Sequence, residues 1–100
     1  MDQALPMGWT QENNALTRTF ERADFVEALG FLLSVARLAE AANHHPDIDI
    51  RYNKVRLSLT THDAGHKVTA KDFDLAEKIN GLIEDHIRFI AQELHAQLGV

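Results

Sequence analysis

His44-His45-Pro46 is followed, seventeen residues after the second histidine, by His62 at the end of an alternating apolar stretch. Imidazoles both give and take a proton near neutral pH. Three of them around one pair of strands therefore suit acid and base groups converging on one small substrate. Two other readings fit the same residues. The histidines could form a hydrogen-bonded pair that caps a helix and borders a hairpin, or, with a nearby carboxylate, a zinc site. Neighbours in extended chain point opposite ways, and no His-Glu-x-x-His or other recognised ligand spacing occurs, so no metal is expected. The chain has no cysteine, no Gly-x-Ser-x-Gly turn and no glycine-rich phosphate loop, which sets aside covalent catalysis and nucleotide hydrolysis. Of the other histidines, His66 falls in a glycine-containing loop and His86 and His95 on a helix, where a lone imidazole usually has no catalytic part.

These side chains need elements to hold them. Ala15 to Phe20 predicts a strand, with Asn13-Asn14 as a turn before it and Gly8-Trp9 opening an earlier segment. Phe25, Leu29, Leu32, Leu33 and Ala36 recur at helical spacing, and Asp24 with Glu27 resembles a capping box. That helix should reach about Ala42, with Pro46 closing off any continuation. Ile48, Ile50 and Tyr52, then Val55, Leu57, Leu59 and Thr61, alternate with period two around Tyr52-Asn53-Lys54. This predicts a hairpin with Arg56, Ser58, Thr60 and His62 on its outer face, His62 ending the second strand. After a loop over 63–68, Thr69 and Asp72 start a second helix with a stripe of Leu75, Ile79, Leu82, Ile83, Ile87, Ile90 and Leu94. It is expected to run unbroken for about 25 residues, roughly 38 Å. Such a stripe outruns one small core, so self-association is expected. The order of elements gives an α+β fold, a four-stranded antiparallel sheet with helices packed on one face.

One hundred residues suffice for one domain, residues 1–100, and not for two. With 45% hydrophobic and 25% charged residues the composition is that of a folded chain. A net charge of -5, with ten scattered Lys and Arg against fifteen Asp and Glu, argues against direct nucleic-acid binding. The first residues, Met1 to Pro6, carry neither a basic region nor an apolar run, so no secretory signal or membrane span is expected. The absence of cysteine fits a reducing compartment, and a cytoplasmic location is the default expectation.

The run Glu40-Ala41-Ala42-Asn43-His44-His45-Pro46, then Tyr52-Asn53-Lys54-Val55, then Leu59-Thr60-Thr61-His62-Asp63, then Asp72 before Leu75-Ala76, closely resembles the pterin-4a-carbinolamine dehydratase family. Gly8-Trp9, Phe20, Asp24-Phe25 and Val35-Ala36 add to the resemblance. It implies dehydration of 4a-hydroxytetrahydropterin to quinonoid dihydropterin, the step that regenerates the pterin after aromatic amino acid hydroxylation, with no metal or organic cofactor. By the same resemblance His44, His45 and His62 match the active-site histidines. Glu40 matches a carboxylate expected to hydrogen-bond His44, and Asp72 the acidic residue at the start of the last helix. Asn43, Thr60, Thr61 and Asp63 flank the histidines, where they can grip the pterin edge. His44 or His62 is expected to transfer the proton, with His45 orienting the ring. Relatives are dimers or tetramers, and animal members also serve as dimerisation cofactors of a homeodomain transcription factor. That implies an alternative, non-catalytic regulatory role through Leu82, Ile83, Ile87 and Ile90. One departure stands out. Many relatives have a Gly-Gly-Leu type turn after the third histidine, whereas this chain has Gly65-His66-Lys67-Val68, one residue longer. The change bears on the loop path and on the place of Asp72.

Overall fold

The computed structural model describes residues 4–99. Asn13 and Asn14 both adopt left-handed backbone, φ 49° and 62°, the geometry a two-residue hairpin demands and that asparagine tolerates. They join β1 (Thr10–Glu12) to β2 (Ala15–Glu21). After α1 (Phe25–Ala42), β3 (Asp47–Arg51) and β4 (Lys54–Leu59) form the second hairpin, with Tyr52 at φ 53° in its turn. β4 inserts beside β2, Leu16 opposite Leu59 and Phe20 opposite Val55, so the antiparallel order is β1-β2-β4-β3. Asn53 stitches the turn to the end of β2, its carbonyl accepting from Arg22 N–H at 2.8 Å and its amide donating to the Arg22 carbonyl at 2.9 Å. This is the α+β arrangement expected, three helices over a four-stranded antiparallel sheet.

The period-two pattern of β4 is realised in full, with Val55, Leu57 and Leu59 buried and Arg56 exposed. On β3 it weakens. Ile48 is largely exposed, because β3 is the sheet's edge and has cover from one side only. Leu16, Val55, Leu57 and Leu59 meet Phe31 and Val35 of α1 in one apolar cluster, to which the next helix adds Leu75 and Ile79. β4 ends at Leu59, three residues before His62, so His62 is not the last residue of a strand.

α1 starts where Asp24 accepts from Glu27 N–H at 2.8 Å, while the Glu27 side chain turns to Arg22 instead of closing a capping box. It ends at Asn43, φ 49°, with His44 N–H donating to the Ala39 carbonyl at 3.0 Å. This left-handed cap, rather than Pro46, stops the helix.

The expected single long helix is two: α2 (Ala70–Asn80) and α3 (Glu84–Leu98). Asn80-Gly81 are poor helix formers, and the Asn80 side chain is held by Trp9 Nε1 at 2.9 Å, Arg18 Nη1 at 2.8 Å and the Met7 carbonyl at 3.0 Å. The break lets α3 double back onto α1. A Cβ on Gly30 would come within 3.0 Å of Ala91 N and the Ile87 carbonyl, so the two helix backbones nearly touch there. Ile87, expected on an outward face, is therefore buried, and of that face Ile83 alone stays largely exposed.

Arg22 ties the three layers together, donating to both carboxylate oxygens of Glu84 at 2.7 Å and to Glu27 at 3.2 Å. The hydrogen bonds from Arg22 hold the Glu84 carboxyl below its usual 4.5, against a weaker opposing push from burial. A carboxylate whose pKa falls on folding stabilises the native state above its unfolded pKa and loses that contribution as acid protonates it. Glu84 is more than half exposed, so solvent screening limits the pair to about 0.5–1 kcal/mol. Glu84→Gln should therefore lower the melting temperature slightly at pH 7, and the gap from wild type should close below about pH 4. Gly30→Ala should cost about 1–3 kcal/mol through overpacking, read as a lower urea midpoint.

Candidate functional site

The left-handed cap at Asn43 decides where the histidines go. Had the helix continued, Glu40 and His44 would lie one turn apart on one face. Instead the chain turns, His44 points inward, and His45 swings back to hydrogen-bond the Glu40 carboxylate through Nε2, both side chains largely exposed. Glu40 thus pairs with His45, not with His44 as expected.

The partner of His44 is Asp72, with Nε2 to Oδ1 at 2.6 Å. Asp72 is fully buried and the His44 side chain nearly so. A carboxylate removed from water needs donors on both oxygens. Its Oδ2 accepts from Thr61 Oγ1 and from Thr69 N–H, each at 2.8 Å. The Thr69 contact is half of a capping box that starts α2. Because the Thr61 hydroxyl donates to Asp72, its oxygen is free to accept from the Thr69 hydroxyl at 2.6 Å. With Asp72 a carboxylate that already accepts two hydrogen bonds on Oδ2, His44 donates to Oδ1 from Nε2.

Thr61 also sets the path of the next loop. It pairs with Lys67 as an isolated bridge, and its carbonyl accepts from Ala64 N–H at 3.2 Å and His66 N–H at 3.1 Å. A single 3-10 turn, His62–Ala64, hangs from this point, followed by left-handed Gly65 and His66. Beyond this loop Asp72 lies beneath His44.

Asn43, His44, His45, Thr61, His62 and Asp63 line one polar cleft of about 310 Å³, within the range of small-molecule sites. Three expected residues do not line it. Asp72 lies beneath it, Glu40 holds His45 from outside, and the Thr60 hydroxyl donates to the Asn14 carbonyl at 2.8 Å, bracing the first hairpin. The cleft also gains Pro46, Asp47 and Lys71, which sequence reasoning missed. The available signal for Lys71 was its place beside Asp72 in the first turn of α2. The site therefore offers three imidazoles, one in a fixed tautomer, with Lys71, Asp47 and Asp63 as charged contacts for a small polar ligand.

Residues 1–82 match the family described as "Pterin 4 alpha carbinolamine dehydratase", and α3 lies past the matched part. A protein of Chloroflexus aurantiacus (strain ATCC 29366 / DSM 635 / J-10-fl) named "Putative pterin-4-alpha-carbinolamine dehydratase" is 60% identical over 75 residues, 75% of this chain and 80% of that protein. One of the same name from Roseiflexus sp. (strain RS-1) is 57% identical over 76 residues, 76% of this chain and 81% of that one. Among solved structures, a transcriptional coactivator/pterin dehydratase from Brucella melitensis aligns with a TM-score of 0.70 and 38% identity, covering 75% of this chain and 81% of that one. A pterin dehydratase-like protein described as a RuBisCO assembly factor in the alpha-carboxysome shares the fold, with a TM-score of 0.59 at 18% identity over 73% of this chain and 83% of that one. With its histidine cleft built on a buried carboxylate and with these relatives, the chain belongs to the pterin 4 alpha carbinolamine dehydratase family.

Proposed function

We propose that the cleft dehydrates 4a-hydroxytetrahydropterin to quinonoid dihydropterin by histidine acid and base catalysis, without metal or organic cofactor. The observation that carries this reading is the hydrogen bond from His44 Nε2 to buried Asp72, in the same cleft as His62. Hydroxide leaves poorly. An imidazolium that protonates the departing hydroxyl lets the C4a–O bond break as water, while the neighbouring ring nitrogen supplies the electron pair. A neutral imidazole then takes a proton from the resulting cation, so one proton is given and one taken in each turnover. Assistance of this kind contributes about a hundredfold to ten-thousandfold per group.

His44 is suited to one of these transfers because Asp72 fixes its ring in the wall of the cleft. His62 takes the other. His45, held at the mouth by Glu40, orients the pterin, with Asn43, Thr61 and Asp63 along its edge. The reaction would return pterin to an aromatic amino acid hydroxylase in the cytoplasm. Exposed Leu33, Ile83 and Phe89 support assembly into a homodimer or homotetramer.

A dehydration assay on chemically made 4a-hydroxytetrahydropterin tests the reading. His44→Ala and His62→Ala should each lower kcat at least a hundredfold with the fold intact, and prior treatment with a chelator should leave wild-type activity unchanged. Full activity in both variants would sink the proposal. Asp72→Asn should lower kcat and also stability, the latter by about 2 kcal/mol for a buried hydrogen-bond set left incomplete, read from the denaturant midpoint.

A further inference from the structure

His66 lies in the loop just past the 3-10 turn His62–Ala64 and is not among the residues that line the cleft. Its backbone is left-handed at φ 60°, directly after Gly65 at φ 78°. Two consecutive left-handed residues reverse the chain sharply, and the His66 N–H to Thr61 carbonyl bond closes the reversal. The result is a contact. The His66 ring stands edge-to-face on the ring of His62, centroids 4.6 Å apart and planes at 75°, the arrangement that aromatic rings prefer.

We propose that His66 is a positioning residue for His62, acting by packing rather than by proton transfer. This rests on the reading above that His62 transfers a proton to or from the pterin. His62 is exposed and, among the described residues, no side-chain hydrogen bond holds its ring. Asp72 locks His44 and Glu40 locks His45. His62 has the His66 ring instead. A free surface imidazole samples several rotamers, and proton transfer requires one of them within hydrogen-bond reach of the substrate. The ring of His66 excludes the rotamers that would cross it. Glycine would fit φ 60° with less strain, so the turn itself does not need the imidazole ring.

The test uses the intact protein and variants at His66 and His62. His66→Gly removes the ring and suits φ 60°, so its melting temperature should equal or exceed that of wild type. Its kcat should nevertheless fall about tenfold with KM nearly unchanged, since reacting groups lose alignment while the other cleft residues still bind substrate. His66→Phe keeps a ring without ionisable nitrogen and should recover kcat to within about threefold of wild type. In proton NMR, cross-relaxation between the two rings should be present in wild type, with signals assigned from His62→Gln and His66→Gly. Removal of the His66 ring should move the His62 ring signals. The proposal is overturned by absent cross-relaxation, by wild-type kcat in His66→Gly while His62→Ala is inactive, or by His66→Phe being as slow as His66→Gly. Full activity of His62→Ala would instead remove the underlying assignment of His62, and this inference with it.

Discussion

A carboxylate buried without charge compensation is among the most costly groups a small protein can contain, and the site is organised around satisfying one. Asp72 draws its donors from separate segments: the ring of His44 just past α1, the hydroxyl of Thr61 just past β4, and the backbone of Thr69 before α2. These three chain segments can meet at one point only if the helix end, the strand end and the helix start are all correctly placed. The polar cluster therefore works as a registration pin that joins these three segments. The cleft is what lies above that pin.

The far end of α2 repeats the device. Asn80 gathers Trp9, Arg18 and the Met7 carbonyl, while Leu75, Ala76 and Ile79 bury the helix between its two polar ends. α2 is thus a bar fixed at both ends. Beyond it, the close backbone approach at Gly30 places α3 on α1, and the stripe that looked too long for one chain is largely buried by the chain itself. Arg22, between Glu84 and Glu27, adds a modest clamp where these helices begin.

Relatives of this fold include one described as a transcriptional coactivator as well as a dehydratase, and one described as an assembly factor. The scaffold does not dictate its use. In this chain each imidazole of the cleft has a neighbour of its own: a buried carboxylate for His44, an exposed carboxylate for His45 and the His66 ring for His62.

Local physics made much of this legible in the sequence. Asn13-Asn14 specified a hairpin because both residues tolerate left-handed backbone. The alternation of Val55, Leu57 and Leu59 specified which face of β4 is buried, and Thr69 with Asp72 specified where α2 begins. The histidines and their small polar setting were legible from residue type and spacing, with the family resemblance naming the chemistry. Tertiary structure alone decided the pairings. Glu40 and His44 stand at helical spacing, but a left-handed cap one residue earlier sends His44 to Asp72 and leaves Glu40 to His45. The stripe from Leu75 to Leu94 kept its period across Asn80-Gly81, and the weak helix propensity of that pair became a break through the contacts of Asn80 and the approach to Gly30. Propensity and periodicity act within a few residues along the chain. Which donor reaches a buried acceptor, and which ring meets which, depends on segments far apart in sequence, and that is settled only when the layers close.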